Sequence, residues 1–172
     1  MGTVKVRRSG PGLQAALERI DEVRTASLTL GVQGQQASAT KTSEEPGEGT
    51  PPTLYEVAVT HEFGDDERGI PQRSFLRATL DEKRAEWAKR LRIAAKTYIA
   101  ERDGLVPALG KVGAKARADV QRTIQRHPLP ILSEAYAERI DVPREETLIR
   151  TGQLVNSIRY VTHLGDTQVD EG

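Results

Sequence analysis

The sequence predicts an α+β fold: a small antiparallel sheet packed against a long helical hairpin, with an extended loop and polar termini. Three observations predict it. Apolar residues alternate with period two in residues 26–32 and 157–163, the spacing of half-buried strands. They recur at helical spacing along two long stretches, residues 76–99 and 105–124. A chain of 172 residues with no cysteine is most simply a single domain, spanning residues 1–172, built from these elements.

The elements follow in order. Val4 and Val6 alternate with charged neighbours and fit either an edge strand or a disordered arm. Gly10, Pro11 and Gly12 break that pattern, and Pro11 suits the first turn of a helix. Leu13, Ala16, Leu17 and Ile20 give a short amphipathic helix over residues 13–24. Leu28, Leu30 and Val32 then point to one side of a strand, Ser27 and Thr29 to the other. Residues 33–53 are rich in Gly, Gln, Ser, Thr, Glu and Pro, a loop far longer than the usual connection of about 4–6 residues. Such a segment is either disordered in the free chain or laid onto a neighbour.

Leu54, Val57, Ala58, His61 and Glu62 fall at helical spacing before Gly64, which is placed to end a helix; a strand through Tyr55, Val57 and Val59 is the competing reading. Residues 65–69 read as a turn, and Pro71 keeps the chain extended up to Ser74, a candidate N-cap. Leu76, Leu80, Trp87, Leu91, Ala94, Ala95, Tyr98 and Ile99 form the stripe of the first long helix. Asp103 and Gly104 interrupt it. Leu105, Leu109, Val112, Ala116, Val120 and Ile124 form the second stripe, and Gly110 and Gly113 permit the two helices to approach closely. Ser133 opens a short helix to Ile140, residues 141–146 connect, and Thr151 can cap a single turn before the strand bearing Ile158, Tyr160 and Thr162. Residues 164–172 read as a polar, acidic tail.

Composition narrows the function. The absence of cysteine excludes disulfides, Cys-ligated zinc and thiol catalysis. No apolar run approaches the ~20 residues of a membrane span, and Met1 to Arg8 lacks the apolar core of a signal peptide. No membrane association is expected. Formal charge sums to zero, but residues 83–126 hold 12 Lys and Arg against four acids, an excess of +8 that the rest of the chain must balance. A solvated helical face explains such a run, and so do head-to-tail contacts between subunits. A basic nucleic-acid-binding module is the alternative, because these bases could neutralise phosphates. Trp87 and Tyr98, the aromatic residues of that region, sit on the apolar stripe and serve packing first.

Catalytic constellations are missing. His61-Glu62 suggests a zinc hydrolase, but the residue four positions after His61 is Asp65, so two imidazoles do not share a helical face. Asp65, Asp66 and Glu67 lack the spaced ligands of a calcium loop. Neither a phosphate-binding Gly-rich loop nor a Gly-x-Ser-x-Gly elbow is present. The expectation is a non-enzyme without cofactor or metal.

Three stretches occur together in a telling order: residues 57–64 (VAVTHEFG), 70–77 (IPQRSFLR) and 148–158 (LIRTGQLVNSI). In that order and around a helical middle, they resemble the tail-completion and neck (virion-morphogenesis, minor tail component) proteins of tailed double-stranded-DNA bacteriophages. Residues 28–32 also match an early strand of that family, and the resemblance spans about residues 26–163. Ser74 stands where the family usually has proline, and Arg150 where it usually has aspartate. The resemblance implies a virion protein at the head–tail junction or the top of the tail, assembled in the bacterial host cytoplasm. It implies a homo-oligomer, a hexameric ring by the symmetry of such tails, joined to neighbouring neck and tail proteins. DNA would pass through the channel without sequence-specific contact.

The residues that carry the resemblance are His61, Glu62, Phe63, Gly64, Arg73, Phe75, Arg77, Thr151, Gly152, Gln153 and Asn156. Cap and turn chemistry accounts for these residue types, and a direct interface role is the other reading. His61, Glu62 and Phe63 are expected to close a helix at Gly64. Phe75 and Leu76 are expected to anchor the long helix to the sheet, with Arg73 and Arg77 reaching outward. Thr151, Gln153 and Asn156 are expected to fix the turn into the last strand.

Overall fold

A computed structural model describes residues 11–40, 51–101, 104–126, 130–140, 143–144 and 152–171. The Val4–Val6 segment, the middle of the long loop (41–50), His127 and most of residues 141–151, Thr151 included, lie outside the described residues.

Helix α1 (Pro11–Thr25) leads directly into strand β1 (Ala26–Val32). A four-residue turn of helix, α2 (Gln35–Ser38), lies inside the region expected to be loop throughout. Thr40 bridges Thr53, and Leu54 N–H donates to Ala39 O at 2.8 Å, so the long connection is pinched at its base. Helix α3 (Leu54–Phe63) settles the helix-or-strand question. It starts with a capping box: Thr53 Oγ accepts from Glu56 N–H and the Glu56 carboxylate accepts from Thr53 N–H. Helices α4 (Leu76–Glu101) and α5 (Leu105–Gln125) form the antiparallel hairpin, followed by α6 (Glu134–Ile140) and the single turn α7 (Gln153–Ser157). Strands β2 (Ile158–Leu164) and β3 (Thr167–Glu171) complete a three-stranded antiparallel sheet of order β1-β2-β3.

The register places Leu28, Leu30 and Val32 opposite Thr162, Tyr160 and Ile158, so all six side chains share one face of the sheet. That face meets α5. Ala58, Phe75, Val120, Ile124, Leu154, Val155 and Ile158 form the core, with Leu30, Val32, Leu76 and Trp87 packed against it. Gly113 serves a different contact from the one expected of it. A Cβ there would stand 2.4 Å from Tyr160 Cδ2, so the glycine opens α5 to a strand side chain.

Two further expectations are corrected. Residues 164–172 are not simply a polar tail: Gly165, at φ 59°, and Asp166 form a two-residue hairpin loop that turns β2 into β3. The apolar stripe of α4 is covered only in part: Leu76, Trp87 and Ala94 pack inward as expected, but the covered face includes polar residues in place of two of its leucines. Thr79 is fully buried while Leu80 and Leu91 are exposed. The reason is a polar seam with α5. The Thr79 and Thr123 hydroxyls meet at 2.7 Å, Trp87 Nε1 donates to Asp119 at 3.0 Å, and Lys115 lies 3.8 Å from Glu86. Helix α1 behaves likewise: Arg19 donates to Ile99 O and Tyr98 to Glu22, while Leu13, Leu17 and Ile20 stay exposed.

Candidate functional site

The residues of the first two motif stretches converge on one carboxylate. Glu62, near the end of α3, is buried and points at the start of α4. Its oxygens accept from Ser74 Oγ at 2.6 Å, from the N–H groups of Phe75 and Leu76 at 2.9 Å, and from Arg77 N–H at 3.0 Å. Arg77 Nε adds a bond at 3.1 Å. The first N–H groups of a helix have no partner within it and carry its positive dipole end. Glu62 therefore caps a 26-residue helix from another element of the chain. Ser74, the expected cap, instead donates its hydroxyl to that carboxylate. Burial pushes the Glu62 carboxyl up, but the bonds from Ser74, Leu76 and Arg77 outweigh it and hold it below its ordinary range.

The backbone around Glu62 is tied as firmly. Its carbonyl accepts from Gln72 Nε2 at 3.0 Å and from Arg77 Nη2 at 2.9 Å. His61 O accepts Arg73 N–H at 2.7 Å. Gly64 ends α3 at φ 80° and ψ 175°, a positive-φ but extended conformation instead of the left-handed helical one expected. A Cβ there would stand 2.9 Å from Gln72 N and 3.1 Å from Ile70 O, so only glycine fits. Residues 65–70 then fold back through paired backbone bonds between Asp65 and Ile70. Asp65 receives Arg68 N–H and Nε, which hold its carboxyl low.

Arg73 does not reach outward. It is buried, and its Nε donates to Pro130 O at 2.6 Å, tying the clasp to the segment before α6. Burial pushes its guanidinium below its ordinary value. Arg77 is half exposed but pinned to Glu62, with its guanidinium 4.8 Å from the centre of the Phe63 ring. Phe75 is fully buried in the core beside Ile158 of β2. Gly152, Gln153 and Asn156 belong to α7 and its cap, an element that packs against α3; there Asn156 N–H donates to Gly152 O.

What the clasp leaves outside is apolar. Tyr55, Val59 and Phe63 follow one another at four-residue spacing on α3, and all are exposed. A second polar cluster, unforeseen in the sequence, sits between α4 and α5: buried Asp119 accepts from Trp87, Lys115 and Arg122. Burial pushes Asp119 up, but Lys115, Trp87 and Arg122 together hold its carboxyl low. Both carboxylates are thus held ionised by dedicated donors, the condition of structural anchors.

No group of three or more His, Asp or Glu among the described residues is gathered to hold a metal ion. No described helix is long and apolar enough to cross a membrane. An open cleft of about 580 Å³ lies among Glu22, Thr25, Tyr98, Leu105 and Leu164, and the Tyr98 hydroxyl donates to Glu22 within it. Comparison of the chain with protein-family models, curated proteins and solved structures gives no match.

Proposed function

We propose that this chain is a structural subunit of a tailed-phage virion. It would assemble into an oligomeric ring at the head–tail junction or the top of the tail, around a channel for DNA. One observation carries the reading. The residues of the HEFG and IPQRSFLR stretches form a single hydrogen-bonded clasp around Glu62, and beside it α3 holds Tyr55, Val59 and Phe63 out to solvent. Exposed apolar side chains aligned on one helix mark a contact surface better than a reactive site. The clasp itself is spent on holding structure, which accords with a chain that works by fitting against copies of itself and adjoining virion parts. Sixfold symmetry comes from the resemblance alone.

A nucleic-acid-binding module is the alternative, favoured by the exposed bases of α4. Electron microscopy of the purified chain mixed with phage tail tubes separates the two. Rings with an axial opening seated on tube ends support the proposal. Bare tubes, together with decoration of added duplex DNA, would support the alternative.

A further inference from the structure

The exposed charge of this neutral chain is sorted by place. Arg84, Lys89, Arg92 and Lys96 are all exposed along the outer side of α4, and none joins an ion pair among the described residues. Arg84, Arg92 and Lys96 follow the four-residue spacing of one helical face, with Ala88 completing the series and Lys89 beside it. The ridge is about 18 Å long at 1.5 Å per residue. Exposed Leu91 and Ile93, the latter 54% accessible, flank it.

A complementary surface runs along α3 to the turn that follows it. Tyr55 and Phe63 are 56% and 62% accessible, with Val59 between them. The adjoining turn holds Asp66 and Glu67 exposed and outside any ion pair among the described residues, whereas the bases nearby are already committed, Arg68 to Asp65 and Arg77 to Glu62. This end is apolar with uncommitted negative charge, and the α4 ridge is apolar at its flanks with uncommitted positive charge.

We propose that the two surfaces meet between copies of this chain: the α3 face and the 65–70 turn of one subunit seat on the α4 ridge of the next. The proposal rests on the ring reading and supplies its contact. A contact between two different patches is head-to-tail, the kind that closes into rings. Charge balance favours a second copy over nucleic acid. A domain that binds phosphates by its field carries a net basic charge, whereas the formal charge here is zero. Nucleic acid on the ridge would also leave the α3 strip uncovered.

Charge reversal on the full chain tests this. One variant carries Arg92→Glu with Lys96→Glu, another Asp66→Lys with Glu67→Lys, and light scattering at several salt concentrations reads assembly. These positions are exposed, so circular dichroism should be unchanged; Arg92→Ser with Lys96→Ser serves if the reversed ridge fails to fold. Each variant alone should associate about tenfold more weakly or worse. An equimolar mixture of the two reversed variants should assemble again, because each then offers the other an opposite charge. Assembly untouched by either variant would overturn this contact while leaving the ring standing. A wild-type chain that stays monomeric would remove the ring and the contact together. Salt-sensitive binding of duplex DNA, lost in the ridge variant whose assembly is intact, would assign the ridge to nucleic acid and overturn the proposal.

Discussion

Removing the Glu62 carboxylate tests the clasp where most of its bonds converge. In Glu62→Ala the start of α4 loses its cap, worth about 1–2 kcal/mol where a side chain caps a helix. Water can reach Leu76 and Arg77, but the Phe75 N–H bond is buried. An orphaned buried donor costs about 1–3 kcal/mol more. The expected loss is about 2–5 kcal/mol, read as a lower urea midpoint at unchanged slope and a melting temperature about 10 °C lower. Glu62→Gln keeps the volume and tests the charge alone. Because the folded carboxyl titrates below its unfolded value of about 4.3, its stabilisation is complete above that pH. It is lost as pH falls through the lowered folded value. The Gln variant should therefore be less stable at neutral pH and show a flatter acid limb than the wild type. A loss under about 1 kcal/mol for Glu62→Ala, set against the cap and buried-donor costs, would refute the long-range cap.

Three more perturbations follow. Asp119→Ala strands Trp87 Nε1 and leaves Lys115 and Arg122 without their shared acceptor, at an expected cost of about 2–4 kcal/mol. Trp87 is the only tryptophan, so its fluorescence reports this unfolding directly. Gly113→Ala drives a methyl into the Tyr160 ring and should cost about 1–3 kcal/mol in thermal melts, with part of the loss recovered by adding Tyr160→Leu. Arg73→Ala releases the carbonyl of Pro130, and hydrogen exchange should quicken around residues 131–132 well before the core.

The fold was legible wherever its contacts are apolar and local. The alternation of Leu28, Leu30 and Val32 and the α5 stripe from Leu105 to Ile124 appear as read, because burial there follows hydrophobicity. The face of α4 is only partly legible because its seam with α5 is polar: Thr79 and Asp119 bury against hydrogen-bond partners that no apolar pattern signals. β3 was missed although its signal was present, a Gly165-Asp166 pair between two short alternating runs. At the candidate site the residue identities were legible and their roles were not. Glu62 lies 13–15 residues before the N–H groups it caps, a distance beyond any local capping rule. Arg73 could not be told from a surface arginine until its carbonyl partner, 57 residues away, came into contact.

The mass of the purified full chain in solution, measured by light scattering over a range of concentrations, bears most directly on whether this protein acts by assembly. Ring assembly gives one closed species at a whole multiple of 18.9 kDa, six copies by the resemblance to phage neck proteins. A particle that stays at the mass of one chain throughout, with turnover of a small-molecule substrate, would contradict it.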